Sequence, residues 1–218
     1  MPKPRQLTSE VQAVYSGLFA RFPSRSERRV IQILEAAIRN YVKIGIENTT
    51  YDSIARTCKV SRPLVQHYFK DHGELFEMVT KYVRSIFQQV VVEEMRREKS
   101  PRRQLEAYLG AIFVWKRKYP LHVKVWNLVY YYAAINKGVR KIHTALVNMG
   151  QARVVAVLEL GVAQGEFPSG DLRKRAKQIL TLLLGAIAVL PAEDLEIDLP
   201  TYRKQLIEAA LTLADAKT

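Results

Sequence analysis

Two short helical segments, roughly Tyr51–Cys58 and Arg62–Phe69, stand only a few residues apart, and a long amphipathic segment lies on either side of them. The order long, short, short, long leaves little freedom. On the upstream side Ser24 and Glu27 have capping-box spacing, Val30, Leu34, Ile38 and Tyr41 mark one helical face, and Gly45 suits the left-handed position after a helix, which predicts a helix over about 25–44. Downstream, Asp71 and Glu74 repeat the capping spacing and open a helix whose face is Leu75, Val79, Tyr82, Ile86 and Val90. Two short helices joined by a tight turn form a helix-turn-helix, whose second member enters the DNA major groove. Ile54, Ala55, Val60 and Val65 supply its small core. Ser61 is placed to cap the second helix, with Arg62 and Pro63 in its first turn, where the missing proline N–H is no loss. Arg62, Leu64, Gln66 and His67 then remain to face outward. They offer a guanidinium, an apolar contact, an amide and an imidazole to bases or phosphates.

The rest of the chain also reads as helix. Ser100-Pro101 has the cap and first-turn pattern, Pro120 separates two aromatic-rich helices, and Asn136-Lys137-Gly138 reads as a turn. A helix from about Val139 to Gln164 ends at Gly165, with Gly150 and Gly161 as candidate breaks inside it. Residues 171–190 and 200–216 make the last two helices. No alternating period-two run of useful length occurs, so the expected class is all-α with about nine helices. Residues 1–23, basic and proline-bearing with Val11, Val14, Leu18 and Phe19 at helical spacing, read as an extension holding a possible short helix.

The block Thr49-Thr50-Tyr51-Asp52-Ser53-Ile54-Ala55, Val60-Ser61, His67-Tyr68-Phe69-Lys70 and Glu74-Leu75 resembles the signature of the TetR family of bacterial transcriptional repressors. Weaker echoes are Gln164-Gly165-Glu166-Phe167 ahead of Asp171, and the two final helices, which look like the family's dimer bundle. The resemblance implies a three-helix DNA-binding domain over 24–72 and a helical ligand-binding and dimerisation domain over 73–218. Double-stranded DNA, a second copy of the chain and a small-molecule effector are then the expected partners, with no membrane. Thr50, Arg62, Leu64, Gln66, His67 and Lys70 become the expected DNA contacts. Tyr108, Trp115, Trp126 and Tyr130, from an aromatic-rich middle, are candidates for an effector pocket, and Leu183, Ile187, Ile207 and Leu211 for the dimer interface. This chain departs from the family pattern in the turn, where Lys59 replaces glycine. It also departs in the reading helix, where Gln66 replaces a tyrosine and Pro63 and Leu64 replace small residues.

Composition narrows the alternatives. Thirty-four Lys and Arg against twenty-one Asp and Glu leave a net charge of +13, a field that attracts polyanions. The charge is not concentrated in the reading head. Residues 1–82 carry thirteen basic and eight acidic side chains, a net +5, so 13 − 5 = +8 lies downstream. The basic runs Arg96-Arg97-Glu98-Lys99 with Arg102-Arg103, and Lys116-Arg117-Lys118, read either as a solvated face or as a site for a partner or anionic ligand. Cys58 is the one cysteine, so no intramolecular disulfide and no cysteine-built metal site is expected, and a reducing cytoplasm is the natural setting. Four scattered histidines, and no nucleophile-elbow, P-loop or dinucleotide glycine pattern, point to no metal, no cofactor and no catalysis. Ile179–Leu190, the most apolar run, is too short to span a bilayer and is stopped by Pro191. The competing reading is a basic helical protein that binds anionic lipid or nucleic acid without sequence preference.

Overall fold

The computed structural model describes residues 25–191 and 198–215, and every regular element among them is a helix. In chain order these are α1 (Arg25–Ile44), α2 (Tyr51–Cys58), α3 (Arg62–Tyr68), α4 (His72–Arg96), α5 (Pro101–Lys118), α6 (Pro120–Ile135), α7 (Lys137–Ala163), α8 (Leu172–Val189) and α9 (Leu199–Asp215). The all-α expectation with about nine helices therefore holds. The short helix anticipated within residues 1–23, and Ser24 as a cap, lie outside the described residues.

Helix ends follow from local chemistry. Gly45, with φ 82°, takes the left-handed position after α1. The Asp71 carboxylate accepts from the Glu74 N–H at 2.8 Å, while Glu74 reaches back to the Lys70 N–H at 2.7 Å, so the box at α4 closes one residue further upstream than its usual form. Ser100 accepts from the Arg103 N–H, Asp171 from the Lys174 N–H, and Asn136 from the Val139 N–H. Asn136 alone separates α6 from α7.

Gly150 and Gly161 do not break α7; both admit a close neighbour. A Cβ on Gly150 would stand 3.0 Å from the Tyr108 hydroxyl and 2.9 Å from Leu180, and one on Gly161 would lie 2.1 Å from the Phe167 ring. The helix cost of glycine is thus accepted where packing needs bare backbone. Among the described residues α7, and not 179–190, is long and apolar enough to cross a membrane by length and composition. Its Ile142, Leu146, Val154, Val157 and Leu158 are buried in the protein, and 33% of the apolar stretch is covered in this way.

By packing, the chain divides into two compact units. Of the described residues, one holds those up to Ile86 together with Lys124–Val139; the other holds Phe87–Val123 and those from Arg140 onward. In the first, Ile33, Leu34, Ile38, Ile54, Val65 and Leu75 are fully enclosed. In the second, Leu105, Leu109, Ile112, Leu158, Ile179 and Leu183 form the core. Arg175, 1% exposed, holds the chain ahead of α8 by donating to the carbonyls of Pro168 and Ser169, each at 2.7 Å.

Candidate nucleic-acid interface

The segment from Thr50 to Lys70 builds an outward-facing helix on a small rigid base. Thr50 and Ser53 cap α2 reciprocally: the Thr50 hydroxyl accepts from the Ser53 N–H at 3.2 Å, and the Ser53 hydroxyl accepts from the Thr50 N–H at 3.0 Å. At the other end Val60 N–H bonds to Ala55 and Lys59 N–H to Arg56, the paired carbonyl satisfaction of a Schellman turn. That turn requires a left-handed residue. Lys59 supplies it with φ 54° and ψ 50°, the only non-glycine residue with positive φ among the described residues.

Ser61 occupies the position before α3 with extended backbone, but its hydroxyl makes no capping hydrogen bond. This corrects the sequence expectation, and Pro63 explains part of it. A capping hydroxyl reaches the second or third N–H of a helix; the second belongs to Pro63, which has none, and the third, on Leu64, donates to the Ser61 carbonyl at 3.1 Å.

Polar bonds fix α1 against α2. Gln32 donates to the Cys58 carbonyl at 2.7 Å, and buried Asn40 donates to the Ser53 hydroxyl at 3.1 Å while accepting from Thr57 at 2.9 Å. Neither was singled out in the sequence, where the apolar stripe of α1 draws attention away from Asn40. Tyr51 ties the start of α2 to the end of α3, its hydroxyl donating to the Phe69 carbonyl at 3.2 Å, and its ring stacks on His72 at 4.4 Å. The Cys58 thiol lies buried and donates to the Ile54 carbonyl; burial pushes its pKa up, which disfavours thiolate chemistry.

On this base α3 buries Val65, with Phe69 closing its end, and turns Arg62, Gln66 and His67 to solvent, with Leu64 half-buried. Thr50 and Lys70 are exposed at its borders. Arg62 is not a free cation: it forms an exposed ion pair with Asp52 of α2 at 3.1 Å.

The other sequence candidates take different places. Tyr108 and Trp115 are buried in the second unit, while Trp126, buried, and Tyr130, half-buried, belong to the first. Burial pushes the Tyr108 hydroxyl up to about 12, partly offset by Arg153, whose guanidinium lies 5.7 Å from its ring centre. Burial likewise raises Tyr130, opposed by its hydrogen bond with Trp126. Trp115 packs against Phe87 at 4.9 Å. Of the expected dimer residues, Leu183 and Ile187 are 1% and 2% exposed within the single chain, whereas Ile207 and Leu211 are half-buried. The basic runs are partly engaged in the fold. Arg97 pairs with Glu94, Arg103 with Glu106, and Arg102 with Asp215 and the Glu166 backbone carbonyl, while Lys116 donates to the Leu190 carbonyl.

Residues 33–79 match the family described as bacterial regulatory proteins, tetR family. Over 88 residues the chain is 31% identical to the HTH-type transcriptional regulator BetI of Burkholderia cenocepacia, covering 40% of this chain and 45% of that protein. The match thus spans less than half the length of this curated relative. A TetR-like transcriptional regulator from a Rhodococcus species superposes with a TM-score of 0.70 at 20% identity, over 89% of this chain and 99% of that one. The regulator FadR of Bacillus subtilis, solved with stearoyl-CoA, gives 0.72 at 17% identity, over 84% of this chain and 97% of its own. At these identities the structural likeness speaks for the fold.

Proposed function

Because the chain belongs to the TetR family of bacterial regulatory proteins, we propose that it is a homodimeric, DNA-binding repressor of transcription that reads a palindromic operator in the cytoplasm and is released by a small apolar or aromatic ligand. The observation that carries this reading is the division of α3. Its buried side holds Val65, and its open side offers Arg62, Gln66 and His67, with Thr50 and Lys70 at the borders. These side chains can hydrogen-bond base edges or phosphates, and the short helix that bears them is braced by α1 and α2.

Two copies related by a two-fold axis would present two such helices to successive major grooves, which is why a palindromic site is expected. Release follows if the ligand prefers the arrangement in which the two reading helices no longer match that spacing, by as much as its affinities for the two states differ. The buried Tyr108 beside Arg153, and Trp115 in the same unit, are the side chains we assign to effector binding. The protein acts by binding, without catalysis or cofactor.

Selection of duplexes bound by the full chain from a random pool tests this reading. Enrichment of a two-fold symmetric sequence is the expected result. Uniform recovery of all duplexes, accompanied by equal binding to anionic vesicles, would replace it with the non-specific polyanion binder.

A further inference from the structure

A cleft of about 360 Å³ opens in the unit that carries the helix-turn-helix, where the end of α1, the α1–α2 connection, the start of α4 and the end of α6 meet. Its aromatic wall is made by Tyr41, Phe76 and Tyr132. The Tyr41 ring meets Phe76 edge-on at 5.8 Å, and Phe76 lies tilted against Tyr132 at 4.6 Å. Tyr41 is 3% exposed, and its buried hydroxyl has no hydrogen-bond partner among the described residues. A buried phenol left in that condition is unfavourable unless another group satisfies it.

The charge of the cleft is the reverse of the chain's. The protein carries a net +13, yet among the described residues no Lys or Arg lines this space. Glu47 does line it. Its carboxylate is exposed and enters no hydrogen bond or ion pair among the described residues, whereas nearby Asp71 and Glu74 are occupied in capping α4. Burial, and after it the charge of Glu47, pushes the Tyr132 hydroxyl up, so Glu47 acts electrostatically on the aromatic wall.

Ring faces attract cations through their quadrupole, and a carboxylate at the rim adds direct attraction. A primary ammonium also has N–H groups to spare for a phenol oxygen. We propose that this cleft is a second small-molecule site that takes a primary ammonium with a compact aromatic or apolar body. The ammonium faces Glu47 and donates to the Tyr41 oxygen, and the body lies along Phe76 and Tyr132.

The occupant would sit beside elements that hold the reading helix. Thr50 lines the cleft and caps α2; His72 lines it and stacks on Tyr51, which bonds to the end of α3. Occupancy therefore changes DNA affinity. That last step rests on the regulatory reading above, while binding itself does not.

The test titrates the full chain with 2-phenylethylammonium and with its neutral counterpart 2-phenylethanol, by calorimetry and by amide shifts in NMR. Expected are saturable ammonium binding, shifts centred on Glu47, Thr50, Gly73 and Tyr132, and at least tenfold weaker binding of the alcohol. Glu47→Gln should weaken the ammonium at least tenfold and leave the alcohol unchanged. Tyr41→Phe, which keeps the ring and the fold, should weaken it severalfold. Absence of saturation at millimolar concentration, equal binding of amine and alcohol, unchanged binding to Glu47→Gln, or shifts centred on Tyr108 and Arg153 would each overturn the proposal. A duplex-binding assay with and without the amine then reads the regulatory step separately. Failure to find a preferred operator leaves the binding result standing.

Discussion

The guanidinium of Arg62 at the start of α3 stands 3.1 Å from the carboxylate of Asp52 on α2, and both side chains are 55% exposed. An ion pair so open to water contributes roughly 0–1 kcal/mol to folding. Its consequence lies in direction: the Arg62 guanidinium is turned toward α2, beside Asp52.

Arg62→Ala is therefore expected to cost about 1–3 kcal/mol on the preferred duplex and much less on random sequence. Asp52→Ala should act differently, since it removes a negative charge beside the phosphates and releases Arg62. Affinity for every duplex should rise while the ratio of operator to random binding falls. Fluorescence anisotropy on both duplexes at one salt concentration measures this, and equal losses on the two for Arg62→Ala would remove Arg62 from the base-reading role.

Lys59 carries the one left-handed non-glycine backbone among the described residues. A side chain there costs roughly 1–2 kcal/mol, and the greater freedom of glycine in the unfolded chain returns about 0.4–1 kcal/mol of that. Lys59→Gly should therefore stabilise the protein by about 0.5–1 kcal/mol, a rise of about 1–4 °C in Tm for a chain of this size. A scan of thermal unfolding decides it. A lower midpoint would mean that the lysine side chain contributes more than its backbone costs.

Helix ends were legible in the sequence because their causes are local. Gly45, Asp71 with Glu74, Ser100 with Pro101, and Asp171 each act within one turn, and each stands where the structure ends or begins a helix. The reading head was legible for a similar reason, since α2 and α3 are too short to hide which residues face out. Inward and outward faces of α8 were not. A segment apolar nearly all round has no stripe to read, so Leu183 and Ile187 could not be told from Gly185 and Val189 until packing partners were known. Asn40 and the two glycines of α7 escaped likewise, because their partners Ser53, Thr57, Tyr108 and Phe167 come from other segments.

Gln66 and Lys70 should differ in kind. A glutamine amide can pair with both N6 and N7 of adenine, and Gln66 is exposed on the open side of α3. Gln66→Ala, carried through the same selection from a random pool, is expected to erase one base preference at a symmetric pair of positions. Lys70→Ala should weaken all duplexes alike and lower the slope of log affinity against log salt by about one. An unchanged logo with uniformly weaker binding for Gln66→Ala would reassign that residue to the backbone.

On α8 the residues open to a second copy are other than Leu183 and Ile187. Leu183 and Ile187 point into their own chain, so a charge at Leu183 should cost on the order of several kcal/mol of stability, as an unpaired charge in a core does, and lower Tm sharply whatever the oligomeric state. The outer face carries Gly185, where an added Cβ would meet nothing within 4 Å, and Val189, 37% exposed. With half-buried Ile207 and Leu211 on α9 these form the surface that we assign to a second copy. Bare backbone at Gly185 would let the partner helix approach closely, and Val189 would lose water-exposed area on association. Val189→Glu combined with Leu211→Glu should therefore convert a dimer to a monomer in sedimentation velocity at micromolar concentration, with helical circular dichroism unchanged. A variant that still sediments as a dimer would move the interface away from α8 and α9.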